Sequence, residues 1–213
     1  MALESVGPQF TVHQVAGFPS FHEAEVLEQE MLAEAGLPAE LAARARRPSP
    51  TAFHVATDPS GAPVGVACST IGPLADLPLG LALAAAGMDL ELEDHLPDPA
   101  CELVSVSVDL EAVGREHIGG VTEALYRSFY RRARASAART AVVGVDPWLF
   151  DVLTEEYGIA FEIIGPPITL LGRDLLAVGG ELDALEEGVR VARPDFASYL
   201  DEPYGELLAG GPA

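Results

Sequence analysis

The sequence predicts an α/β protein whose mixed sheet is flanked by helices, and three observations carry that expectation. A valine-rich strand over 101–109 (CELVSVSVD) runs through a glycine-containing turn into a long, arginine-studded helix. A second strand, TAVVGVD over 140–146, follows that helix, so strand, helix and strand form one right-handed crossover unit. The chain has 213 residues and 49% hydrophobic content, enough to bury one substantial core. We therefore expect one domain over 1–180 with an acidic C-terminal extension over 181–213.

The elements follow in order. Ser20 and Glu23 form an S-x-x-E capping box, and Val26, Leu27 and Met31 recur at helical spacing before Gly36, which predicts a helix over 21–35. Pro38 starts a second short helix ending in Arg44, Arg46 and Arg47 before Pro48 stops it. Residues 51–57 and 63–70 flank the turn sequence DPSGA and read as an antiparallel hairpin. The longest apolar stretch, 71–88, is broken by two prolines and Asp76 before it reaches membrane-spanning length. It reads as a buried insert or the wall of a substrate pocket.

Along the central strand, strict alternation puts Glu102, Val104, Val106 and Val108 on one face and Cys101, Leu103, Ser105 and Ser107 on the other. Val121, Leu125, Phe129 and Ala133 form the packed stripe of the crossover helix, whose other faces carry Arg127, Arg131, Arg132 and Arg134. Asp146 and Pro147 cap and start a second helix over 147–158, with Trp148 as a packing anchor. Residues 159–180 close the sheet as an antiparallel segment. In the tail, Pro194 starts a short helix over 195–200 that packs back on the domain or covers a pocket.

Charge narrows the choice of partner. The 33 acids outnumber 12 bases, all of them arginine, for a net charge of −21, which makes duplex nucleic acid and anionic membrane poor partners. Against that background the segment from Arg115 to Arg139 holds six arginines and two acids. It reads either as a positive patch for a phosphate-bearing or acidic partner or as a solvated helix face. Cys68 and Cys101 are too few for a disulfide framework and lack metal spacing, so we expect reduced core thiols and no metal. The N-terminus has no basic or apolar run of the signal-peptide kind, and the expected location is the cytoplasm.

The candidate chemistry centres on Glu102, a carboxylate that begins an apolar row and whose pKa burial would raise towards that of a useful base. A rim carboxylate at a strand end is the plainer reading. Gly114, Gly119 and Gly120 surround the head of the crossover helix, where backbone N–H groups can hold an anion, and Arg115 and His117 lie in the same turn. His117 could touch phosphate or relay a proton, or be an ordinary surface histidine. No Gly-x-Ser-x-Gly elbow surrounds any serine, so a hydrolase triad has no support.

The element order over 101–165 resembles the core of the GCN5-related N-acetyltransferase (GNAT) superfamily. More narrowly, ELVSVSV, VVGVDPWLFDVLTEEYGIAFEIIGPPITLLGRDLLAV and the preceding ADLPLG are similar to the acyl-homoserine lactone synthases and N-acyl amino acid synthases, over about 72–179. The resemblance implies a GNAT-like sheet and transfer of an acyl group from an acyl-CoA or acyl-phosphopantetheine thioester to a small amine such as an amino acid. It places the donor along Ser105, Val106 and Val108 and at the turn of Gly114, Arg115, His117, Gly119 and Gly120, with Glu102 as base. An acyl carrier protein would dock at Arg127, Arg131, Arg132 and Arg134.

The chain also departs from these relatives. Ser105 stands where they carry arginine, Ile118 replaces the first glycine of the pyrophosphate loop, and Thr154 replaces an acidic tyrosine. The weakened loop makes a carrier-bound donor slightly more attractive than free coenzyme A, because a carrier supplies phosphopantetheine without the adenosine pyrophosphate. An ordinary acetyl-CoA N-acetyltransferase and a non-catalytic acyl- or pantetheine-binding protein are the alternatives.

Overall fold

A computed structural model describes residues 10–15, 20–34, 36, 50–88, 96–170 and 172–201. Its framework is an eight-stranded mixed sheet ordered β1-β2-β3-β4-β5-β8-β6, with β7 pairing separately with β8. The strands are β1 (Thr11–Val15), β2 (Thr51–Thr57), β3 (Pro63–Gly72), β4 (Ala100–Val108), β5 (Thr140–Val145), β6 (Glu162–Ile163), β7 (Ile168–Leu170) and β8 (Arg173–Glu181). Only β4 and β5 pair in parallel among the described residues. The helix expected from Pro38 lies outside the described residues.

Local chemistry explains the hairpin. Asp58 Oδ1 accepts from Ser60 N at 2.8 Å and Ala62 N at 2.9 Å, which closes the β2–β3 turn through side-chain bonds. On one side of the sheet lies α1 (Ser20–Glu34), whose Ala24 and Met31 pack with Phe53, Val66, Cys68 and Val104. The same side holds α2 (Pro78–Ala85), folded from the apolar insert, with Leu77, Leu79 and Leu83 fully buried. The insert is thus core, as one of its two readings had it.

The other side is covered by α3 (Leu110–Val113), the crossover helix α4 (Ile118–Ala135), α5 (Pro147–Asp151), α6 (Leu182–Ala192) and α7 (Pro194–Asp201). Val121, Leu125 and Ala133 of α4 are fully buried, as their spacing predicts, and Phe129 packs partly buried beside them. Trp148 departs from expectation: it is 63% exposed and anchors nothing. Between α5 and β6 the chain makes a π-helical turn, Val152–Glu156, in which Thr154 Oγ1 donates to Phe150 O.

The expected alternation along β4 fails at one residue. Ser105 pairs with Cys68 and Leu103 with Ser69, so Val104 is an extra residue that faces no partner of its own on β3. This bulge shifts the phase of the strand. Glu102, Val104 and Ser105 face α1 and α2, while Cys101, Leu103, Val106 and Val108 face α4. The row that sequence assigned to Glu102, Val104, Val106 and Val108 is therefore split between the two sides.

Leu125 is central to the α4 side, and truncating it leaves a cavity the sheet cannot collapse into. Leu125→Ala should cost about 2–5 kcal/mol, against less than about 0.5 kcal/mol for Leu110→Ala on the surface. Urea midpoints at a common slope measure both.

Candidate active site

The parallel pairing of β4 and β5 stops early. Ala100–Leu103 of β4 lie against Thr140–Val143 of β5, yet β4 continues to Val108 and β5 to Val145. Beyond Leu103 the two strands separate, so the β5-facing backbone groups of β4 have no strand partner among the described residues. The gap opens a cleft of about 260 Å³ through the sheet. Its walls are Leu103–Val106 and Ala141–Asp146, its roof Tyr126, Phe129 and Tyr130, and its deep apolar end Leu185, Val189, Phe196 and Leu200. Leu32, Leu170, Arg173 and Leu175 line the opposite mouth.

The structure divides the expected site residues into three groups. Ser105 and Val106 line the cleft. Gly114, Arg115, His117, Gly119 and Gly120 gather at the carboxyl end of β4 around the start of α4, with Val108 leading into them; none lines the cleft itself. Gly114 takes φ of 74°, a left-handed conformation that favours glycine, and ends α3. A side chain at Gly119 or Gly120 would meet nothing within 4 Å, so internal packing demands neither glycine. His117 occupies the cap position of α4 without a side-chain capping bond, its ring 6.3 Å from that of Phe10.

Glu102 stands apart from the cleft. Its carboxylate is fully buried and accepts from Leu79 N at 3.0 and 3.1 Å, which fastens the first turn of α2 to the sheet. Burial pushes its pKa up to about 8, against the lowering effect of the Leu79 hydrogen bonds. The group anchors α2 and does not line the cleft.

The sequence reading missed two residues that the structure brings to this region. Glu28 of α1 is fully buried and accepts from Ser105 Oγ, so a carboxylate sits behind a hydroxyl that faces the cleft. The signal was present, because Glu28 interrupts the buried stripe Ala24, Met31, Leu32 at helical spacing. Tyr126 projects into the cleft from α4, and burial raises its phenol to about 12.

The four arginines of α4 are engaged within the molecule. The Arg127 guanidinium lies 4.2 Å from the centre of the Tyr199 ring, and Arg131 Nε donates to Leu200 O at 3.3 Å. Arg132 Nη2 donates to Pro50 O at 2.8 Å, while Arg134 pairs with Asp183 at 2.6 Å and with Glu186. Arg127, Arg131 and Arg134 fasten α6 and α7 over the deep end of the cleft. The helix α6 was not anticipated, although Leu182, Leu185 and Val189 mark its buried face at helical spacing.

No protein-family model and no curated protein matches the sequence. Solved structures match the architecture instead. FeeM, an N-acyl amino acid synthase from uncultured soil microbes, superposes with a TM-score of 0.64 at 15% identity, over 89% of this chain and 98% of that one. The chain has the GNAT-like fold of the acyl synthases. The CoA-dependent acyl-homoserine lactone synthase BjaI, solved with SAM and isopentyl-CoA, matches with a TM-score of 0.56 at 13% identity, over 88% of this chain and 90% of that one. The synthase LasI matches with a TM-score of 0.56 at 14% identity, over 86% and 98%.

The buried Glu102 gives a pH prediction whose sign is fixed. Its native pKa of about 8 lies above the ordinary 4.5, so between those values the folded chain holds a proton that the unfolded chain releases. Stability from this group is full below the ordinary value and falls as pH rises to about 8. Glu102→Gln carries no such proton, so its stability relative to the parent should rise from pH 5 to pH 8.5. Urea unfolding of both proteins at the two pH values measures the difference.

Proposed function

We propose that the protein is an N-acyltransferase that moves an acyl group from a thioester to a small amine, an amino acid being the leading class of acceptor. The observation that carries this reading is the cleft formed where β4 and β5 part. Its deep end is apolar, and the whole cleft, at about 260 Å³, lies just below the ~300–1,000 Å³ typical of ligand sites, which suits a slender chain better than a bulky ring system. Freed backbone N–H groups of β4 border the same gap, where they can bond the thioester oxygen and the amides of a pantetheine arm.

The rest of the site fits such a donor. A phosphate can approach the start of α4 over Gly119 and Gly120, which leave that turn bare. Tyr126 keeps its proton at neutral pH and stands in the cleft, so its hydroxyl can donate a hydrogen bond to the charge that develops on the thioester. The donor reads as a phosphopantetheine thioester carried by coenzyme A or by a carrier protein. Docking of a carrier on Arg127, Arg131, Arg132 and Arg134 would have to displace Tyr199, the Leu200 carbonyl, the Pro50 carbonyl and the acids of α6. That cost favours the free coenzyme A thioester.

Thiol release from a series of acyl-CoA thioesters, in the presence of pooled amino acids, tests the reading. Turnover is expected, with Tyr126→Phe slower by about 10- to 10²-fold. Val189→Trp and Leu200→Trp should shift preference to shorter chains by filling the deep end, whereas Leu81→Trp on the exposed side of α2 should not. A co-purified acyl ligand without thiol release from any thioester would overturn transfer and leave a binding protein.

A further inference from the structure

We propose that Ser105 and Glu28 form the proton relay that deprotonates the acceptor amine. This inference rests on the acyl-transfer reading and assigns its base. Ser105 is the hydroxyl-bearing residue of β4 at the cleft, positioned one residue beyond the bulge that turns it towards α1. Its Oγ donates to Glu28 Oε1, so the oxygen lone pairs remain available to the cleft. The polarity is that of a relay: a proton accepted from an amine at Ser105 Oγ is matched by the hydroxyl proton passing to Glu28.

Position supports the assignment. Leu32, one turn after Glu28 on the same face of α1, itself lines the cleft, so the carboxylate lies immediately behind the cleft wall. Glu28 is fully buried on the face of α1 that carries Ala24 and Met31, whose apolar cluster also holds Phe53, Val66 and Val104, and burying a carboxylate there is costly unless it is hydrogen-bonded. Among the described residues, the titratable side chains next to this pocket on the packed strands are Glu102 of β4 and Cys68 of β3, which lies opposite Ser105. Glu102 is committed to Leu79, and Cys68 is buried.

The step balances without an added reagent. The amine nitrogen forms a bond to the thioester carbonyl carbon, and the carbon–sulfur bond breaks. One proton of the acceptor ammonium moves to Ser105 Oγ as the serine proton moves to Glu28, and after attack the nitrogen gives up a second proton, which the departing thiolate takes. Ser105 is the catalytic residue here; Glu28 is a positioning and proton-accepting residue that acts through it.

The test uses the full chain, the acyl-CoA found to be turned over best, and two acceptors. One is an amino acid, whose amine is protonated at neutral pH; the other is an alkoxyamine, whose nitrogen is already neutral. Glu28→Gln and Ser105→Ala should each lower kcat with the amino acid by about 10²-fold, leave KM for the thioester unchanged, and lose little with the alkoxyamine. Glu28→Gln should also remove the ionisation that the parent shows in its pH–rate profile beyond titration of the acceptor. Thermal unfolding reports whether each variant is folded, and if Glu28→Gln is not, the two-acceptor comparison on Ser105→Ala decides. Unchanged rates, or equal losses with both acceptors, overturn the relay while leaving acyl transfer standing. Absence of thiol release by the parent chain overturns both.

Discussion

The parting of β4 from β5 after Leu103 is the constraint on which the rest of the molecule depends. Parallel strands in a continuous sheet bond along their whole shared length, and here that bonding is given up over the carboxyl halves. The loss is tolerated because β4 stays paired with β3 and β5 stays paired with β8, so each strand keeps one full ladder. The remaining edges face each other across a space that side chains of α4, α6 and α7 close from one side and those of α1 and β8 from the other. A sheet normally separates its two faces; this one connects them.

The bulge at Val104 works with that gap. It lies where pairing ends, and it changes which residues of β4 look towards α1 and which towards α4. Without the extra residue Ser105 would point at the crossover helix, and its bond to Glu28 could not form. A single added residue therefore sets the polar side of the cleft, while Val106 remains on its apolar side. Bulges commonly re-aim side chains in this way beside functional sites.

Much of the fold was legible because its signals are local. The DPSGA turn, the Val121, Leu125, Phe129, Ala133 stripe and the valine-rich strands each state their own geometry within a few residues. The site was less legible. Strict period-two reading of CELVSVSVD could not foresee a bulge, which depends on how β3 and β4 are matched across the sheet. Glu102 invited a catalytic reading as a charge in an apolar row, but its partner is a backbone N–H on α2, 23 residues earlier. Glu28 was overlooked because its importance lies in a contact with Ser105, 77 residues away. Arg131 and Arg134 looked like part of a surface patch because their partners in α6 and α7 lie more than forty residues further on.

Those arginine contacts separate two requirements that a single core usually merges. The sheet, α1 and α2 are held together by buried apolar clusters, in which any change of volume is felt by the whole domain. The helices that close the deep end of the cleft are fastened from outside as well, by Tyr199 under Arg127, the Leu200 carbonyl on Arg131, and Asp183 and Glu186 on Arg134. Substitutions on the inner faces of α6 and α7 can thus reshape the cavity while the outer fastenings hold the helices in place. Such an arrangement leaves a replaceable floor beneath a fixed frame, so the size of the cavity can change without a new fold.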